Sequence, residues 1–263
     1  MILDCVLTAV NKDKTYLDLC PIFIKTWNKL YPDVDVKIIL IAKSIPTNLL
    51  LYKDNIILFE PIQNVPTCFT SQFIRLLYPC ILNYKNGVMI TDVDDLPMST
   101  TFYTKNIEDI QNDKWVNLRD WRTPPHSETP QIAMCWQVAT PNTWKDVFHI
   151  ENLQDIKRTI TSYKPISWFS DQLFLYKNVM EWNKKTNRYV FLKDKETGFK
   201  RLSRSDVGMS LDDIQVKKNI SEGKYSDYHC YRPMSKYYDK NWKVYELLPK
   251  AEHISPRPAE RRV

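Results

Sequence analysis

Apolar runs of strand length at 2–10, 34–42 and 55–60 alternate with stretches whose apolar residues return at helical spacing. This is the alternation of a βαβ sheet with helices on its faces. Between the first two runs, Phe23, Thr26, Trp27 and Leu30 share a helical face, Pro21 stands where a first turn tolerates it, and Tyr31-Pro32 ends the pattern. A second helix is predicted over 70–84, because Phe73, Leu76, Leu77, Cys80 and Ile81 fall at i, i+3, i+4, i+7 and i+8, with Arg75 off that face. Asn86-Gly87 then opens Val88-Met89-Ile90, short and apolar enough for a central parallel strand. Beyond Pro97 the pattern weakens. It predicts strands at 115–118 and 132–138, helices at 141–148 and 171–184, and a surface loop at 120–130 that contains Pro124, Pro125 and Pro130.

The chemistry gathers where the central strand ends. Val88-Met89-Ile90 runs into Thr91-Asp92-Val93-Asp94-Asp95, and on extended backbone Asp92 and Asp94 project to the same side. Paired carboxylates at the carboxyl end of a parallel strand suit Mn²⁺ or Mg²⁺ gripping a diphosphate, at the edge where open α/β sheets bind ligands. Against this stands the plainer reading that the acids cap the strand and begin a turn. Three adjacent like charges nevertheless repel one another, and a bound cation relieves them.

Composition narrows the class. With 263 residues, 43% of them hydrophobic, the chain has enough apolar material for one substantial α/β domain, and 13% aromatic content with only 4 glycines excludes a disordered or linker-rich chain. No apolar run approaches the length of a membrane span, and the start of the chain carries an acid, Asp4, in place of a basic leader, so a cytoplasmic protein without a transmembrane segment is expected. Six cysteines without CxxC spacing read as small core residues. The net charge of +6 is spread along the chain apart from Arg257, Arg261 and Arg262, which suggests a solvated basic surface and no nucleic-acid partner.

The helix segment Ser71-Gln72-Phe73-Ile74-Arg75-Leu76-Leu77-Tyr78-Pro79, followed by Val88-Met89-Ile90-Thr91-Asp92-Val93-Asp94, resembles the glycogenin and bacterial galactosyltransferase family. In that family an aromatic-x-Arg-Leu helix precedes the DxD strand. The resemblance is closest over 1–100 and looser over 130–232. It implies a GT-A fold, a UDP-sugar-like donor, a glycan or other acceptor, and manganese-dependent transfer. It divides a single domain, 1–263, into a nucleotide-sugar half (1–97), an acceptor and catalytic half (98–235) and a basic tail (236–263).

By the same resemblance, Thr8, Ala9, Val10 and Asn11 would line the nucleoside pocket, Tyr16 would stack on the base, and Asp92, Val93 and Asp94 would meet the diphosphate and its metal. Arg75 stands open between the diphosphate and a salt bridge to one of the acids. Ser170-Asp171-Gln172 resembles the family's Asp-Gln segment beside the donor sugar, making Asp171 and Gln172 the catalytic candidates; the alternative is a helix N-cap at Ser170 or Asp171. Asp171 acting as general base implies inversion, whereas the family usually retains configuration. The third metal ligand would be His229 in Tyr228-His229-Cys230-Tyr231-Arg232-Pro233, where the family's glycine is missing and only the basic residue before proline remains. Trp136 and Trp168 are candidate sugar platforms, and Lys236, Lys240 and Lys243 candidate diphosphate neighbours. The competing classes are a nucleotidyltransferase or nuclease with further acids converging on the site, and a non-enzymatic carbohydrate- or nucleic-acid-binding module.

Overall fold

Strand β1 (Leu3–Val10) is apolar along nearly its whole length because both its faces are covered. It is followed by a short helix α1 (Lys14–Leu17), the crossover helix α2 (Cys20–Leu30), β2 (Asp35–Ile41), β3 (Ile56–Phe59), α3 (Thr67–Leu77) and β4 (Gly87–Ile90). After β4 come β5 (Asp95–Pro97), α4 (Phe102–Lys105), β6 (Trp115–Asn117), β7 (Gln137–Ala139), α5 (Pro141–Phe148), α6 (Leu153–Ser162) and α7 (Ser170–Thr186). The remainder forms β8 (Tyr189–Phe191), α8 (Asp194–Thr197), β9 (Arg201–Ser203), α9 (Ile214–Ser221), β10 (Asp227–His229) and α10 (Met234–Leu247). The computed structural model describes residues 1–120, 130–164, 166–204 and 211–250.

The main sheet has the order β3-β2-β1-β4-β7-β6-β8, parallel through β3-β2-β1-β4 and between β6 and β8, and antiparallel where β7 meets β4 and β6. The period-2 alternation of strand side chains divides the core. Val6, Val10, Ile38 and Leu40 pack with Phe23 and Trp27 of α2, while Cys5, Leu7, Ile39 and Ile41 pack with Phe73 and Leu77 of α3. Each such fully buried aliphatic or aromatic side chain contributes about 1.5–3 kcal/mol. Gly87 is demanded by close approach: a Cβ there would lie 2.9 Å from the Ile2 carbonyl oxygen and the Met1 sulfur and 3.1 Å from a Val138 methyl. Gly87→Ala is therefore expected to cost about 1–3 kcal/mol through overpacking. A urea midpoint equal to that of the unmodified protein would refute this.

Several expected boundaries move. The helix expected over 70–84 begins at Thr67 and ends at Leu77, and Tyr78–Ile81 tightens into a 3₁₀ turn, because Pro79 brings no N–H to continue the α ladder. The strand expected at 132–138 shrinks to Gln137–Ala139, since Trp136 takes a positive φ of 63° that interrupts extended backbone. A second sheet, β5-β10-β9, was not foreseen; its strands are three residues each, too short to carry a periodic signal. The first part of the expected basic tail is the helix α10, whose Met234, Asn241 and Val244 are buried. The rest of the tail, with Arg257, Arg261 and Arg262, and residues 121–129 of the expected loop, with Pro124 and Pro125, lie outside the described residues. Among the described residues no helix is long and apolar enough to cross a membrane.

Candidate functional site

Parallel register builds the site. Leu7 of β1 pairs with Ile90 of β4, and the Thr91 N–H donates to the Leu7 carbonyl at 3.1 Å, so the carboxyl ends of both strands emerge side by side. Ala9, Val10 and Asn11 from one, and Asp92, Val93 and Asp94 from the other, line a single cavity of about 230 Å³ together with Tyr16, Arg75, Trp168, His229 and Arg232. The cavity thus gathers most of the residues singled out in the sequence. Thr8 is an exception: it is fully buried and is not among the lining residues.

The acidic segment is not extended. The Asp95 N–H donates to the Asp92 carbonyl at 3.2 Å, closing a turn in place of the expected extended backbone; Asp92 and Asp94 line the same cavity but take different partners. Asp92 meets the guanidinium of Arg75. Asp94, 5% exposed, accepts on Oδ2 from Arg204 Nη1 at 3.1 Å, forms an ion pair with Arg232 Nε at 3.1 Å and faces His229 Nε2 at 3.2 Å. Burial pushes the Asp94 carboxyl up, but the His229 hydrogen bond and the charges of Arg232, His229 and Arg204 outweigh it and hold the value at about 2. Asp95 turns away: Arg201 Nη2 reaches its Oδ2 at 3.0 Å and Arg201 Nε reaches Asp227 Oδ2 at 2.6 Å. Burial raises the pKa of both carboxyls against the pull of Arg201.

His229 reaches Asp94 through the small sheet. It pairs with Asp95 across the antiparallel β5-β10 ladder, and the Cys230 N–H donates to the Asp94 carbonyl at 2.9 Å. The donor set of Asp92, Asp94 and His229, two oxygens and a nitrogen on one cavity wall, suits a manganese-type cation. Asp94 Oδ2 is held by Arg204 and Arg232 and Asp92 by Arg75, so a cation at Asp92, Asp94 and His229 would have to displace guanidinium contacts. Among the described residues the trio of potential ligands with atoms mutually within 4.8 Å is instead Asp92, Asp95 and Cys135.

A second cavity of about 340 Å³ adjoins the first and shares Gln72, Arg75, Asp92 and Trp168 with it. Asp171 and Gln172 line this second space, along with Arg119 and Arg201. Asp171 is 2% exposed; its Oδ2 accepts from Arg75 Nη2 at 3.2 Å and its Oδ1 from the Gln172 N–H at 2.8 Å. Burial raises the Asp171 pKa, and Arg75 opposes the rise. The N-cap of α7 is Phe169 and makes no side-chain cap bond, so Asp171 is held by Arg75 and by its own helix's first turn. Arg75, buried between Asp92 and Asp171, realises the salt-bridge alternative twice over. Gln172 Oε1 is buried without a hydrogen-bond partner.

Trp168 is 66% exposed on the shared wall, whereas Trp136 is fully buried and donates to Thr91 Oγ1, which removes it as a sugar platform. Lys236, Lys240 and Lys243 lie on α10 beside Tyr237, Tyr231 and Asp212 and line neither cavity. Arg204 and Arg201 escaped the sequence reading because β9 is only three residues long; Arg232 had a signal in the basic residue before Pro233.

No protein-family model and no curated protein matches the chain. Among solved structures, an active-site mutant of LgtC aligns with a TM-score of 0.50 and 10% identity over 94% of this chain and 97% of that one. The galactosyltransferase LgtC in complex with donor and acceptor sugar analogs aligns over the same shares at 0.49 and 11%. The glycosyltransferase GlyE of Streptococcus pneumoniae TIGR4 aligns at 0.49 and 14%, over 97% of this chain and 66% of that one. With its mostly parallel central sheet flanked by helices, the chain has the α/β fold of GT-A glycosyltransferases.

Proposed function

We propose that this protein transfers a sugar from a nucleoside diphosphate sugar, of UDP-sugar type, to the hydroxyl of a glycan or other acceptor. The observation that carries this reading is the pair of adjoining cavities at the carboxyl edge of β1 and β4, with Arg75 and Asp92 in their common wall and Asp171 facing the second. One cavity is suited to the nucleoside and diphosphate, the other to the acceptor, and the reacting carbon would sit where they meet.

In this reading Ala9, Val10 and Asn11 border the nucleoside and Tyr16 offers its ring to the base. Asp92, Asp94 and His229 would hold Mn²⁺ or Mg²⁺, which neutralises charge on the departing diphosphate. Arg75 lies beside the same group; its charge is balanced by Asp92 and Asp171, and it would serve the diphosphate as a hydrogen-bond donor if Asp92 turned to the cation. Asp171 takes the proton of the acceptor hydroxyl as its oxygen bonds to the anomeric carbon and the bond from that carbon to the diphosphate breaks, with the electron pair leaving on the diphosphate. The unpartnered Gln172 Oε1 accepts a hydrogen bond from a sugar hydroxyl, and exposed Trp168 gives the sugar an apolar face.

A thermal-shift panel of nucleoside diphosphates and nucleotide sugars, with and without Mn²⁺, tests this directly, because a ligand selective for the folded state raises the melting temperature. At a hundred times Kd the expected stabilisation is about 2.7 kcal/mol. It should require the metal and vanish in Asp94→Asn. No shift from any nucleotide in either condition would overturn the reading.

A further inference from the structure

Arg232 spans the first cavity. Its Nε lies 3.1 Å from Asp94 Oδ2, at the end suited to the metal, and its guanidinium carbon lies 4.7 Å from the centre of the Tyr16 ring, at the end suited to the nucleoside. Tyr16 itself packs against the core. A base entering from the cavity to stack on Tyr16 therefore meets the guanidinium, and a cation approaching Asp94 meets the same side chain. Arg204 also bonds Asp94 Oδ2, at 3.1 Å, but is anchored elsewhere, on the Cys230 carbonyl at 3.0 Å, and makes no contact with Tyr16.

We infer that Arg232 couples the two halves of the donor site: the cation and the nucleoside each displace the same guanidinium, so the binding of one prepares the place of the other. This inference rests on the donor-site reading above. Its basis is linkage. Breaking the Asp94 contact removes one of the two holds that keep Arg232 over Tyr16, and breaking the Tyr16 contact removes one of the two that keep it on Asp94. Each ligand therefore lowers the cost of the same rearrangement for the other, and the enhancement is equal in both directions. No bridging phosphate is needed, which separates this coupling from ordinary chelation of metal by a diphosphate.

The probe is accordingly a nucleoside without phosphates. Uridine, with the other common nucleosides in parallel, is titrated against the full chain while Mn²⁺ binding is followed by loss of the free-ion EPR signal. In the unmodified protein a nucleoside that fits should tighten Mn²⁺ binding by about fivefold or more. In Arg232→Met, Mn²⁺ should bind more tightly without nucleoside and the enhancement should disappear. Arg204→Met removes an equal charge from Asp94 and controls for electrostatics; there the enhancement should survive. The melting temperature of each variant establishes that it is folded. Mn²⁺ and nucleoside binding independently in the unmodified protein, or loss of coupling equally in both variants, would overturn the inference while leaving the donor site standing. Failure to bind either ligand would remove the donor-site reading itself.

Discussion

Asp171→Asn is expected to lower turnover by roughly a hundred- to ten-thousandfold, the range a positioned general base contributes, without loss of fold. The fold should hold because Arg75 keeps Asp92 as a partner and the asparagine can still accept from Arg75 at the same position. Donor hydrolysis, with water in the place of the acceptor, gives an assay that needs no knowledge of the acceptor. The pH dependence identifies the residue. A base works only when ionised, so activity falls as pH drops through its pKa, and burial places that fall above the ordinary carboxylate range. The variant should lose this acidic limb along with its rate. The sign for stability is opposite: the folded state holds the Asp171 proton more tightly than the unfolded chain, so the contribution is present at low pH and lost as pH rises through the raised value. Asp171→Asn should accordingly melt no lower than the unmodified protein at neutral pH. Retention of more than about a tenth of the rate, with the acidic limb unchanged, would move the base role to another residue.

The second large effect is structural. Arg201→Met is expected to cost about 3–5 kcal/mol, because it strips the guanidinium from two carboxyls that are 3% and 0% exposed, Asp95 and Asp227. Against a typical total of about 5–15 kcal/mol this is a severe loss. Its pH signature follows from the raised pKa values of both groups. Without Arg201 they rise further and the folded state keeps protons that the unfolded chain releases, so the deficit is smallest near pH 5 and grows towards pH 8. Urea unfolding at the two pH values measures this. A deficit that does not change with pH would mean that Arg201 matters through packing, over Trp136 and Phe199, rather than through charge.

The β1-to-β4 part of the fold was legible because its physics is local and periodic. Strand β1 is apolar but for Asp4 and Thr8, β2 carries the unbroken run Ile38-Ile39-Leu40-Ile41, and α2 and α3 each carry a continuous apolar face. The acidic turn could be placed because it follows directly on β4. The orientation of its carboxylates could not, since the turn between Asp92 and Asp95 is set by which cations await each side chain, and those cations come from α3, β9 and the segment after β10. His229 was found only through the resemblance. Arg201 belongs to a strand too short to have a period and Arg204 follows directly on it, and the identity of their partners is a tertiary fact. Trp136 and Trp168 have opposite fates, one fully buried behind Ala133-Met134-Cys135 and one 66% exposed between Ser167 and Phe169.

The small sheet has a consequence for how the molecule comes into being. His229 faces Asp94 across 135 positions of chain, and β10 is what seats Cys230 against the Asp94 carbonyl. Pairings this distant in sequence are made against a large loss of chain entropy and form slowly compared with local helices and neighbouring strands. The β1-β4 pairing and its covering helices need only the first third of the chain. The surroundings of Asp94 therefore depend on contacts far along the chain: Arg204, His229 and Arg232 all follow it by more than 100 residues, outside the β1-β4 layer. The cavity around Asp94 is thus a product of the whole chain and cannot be assembled from its first third alone.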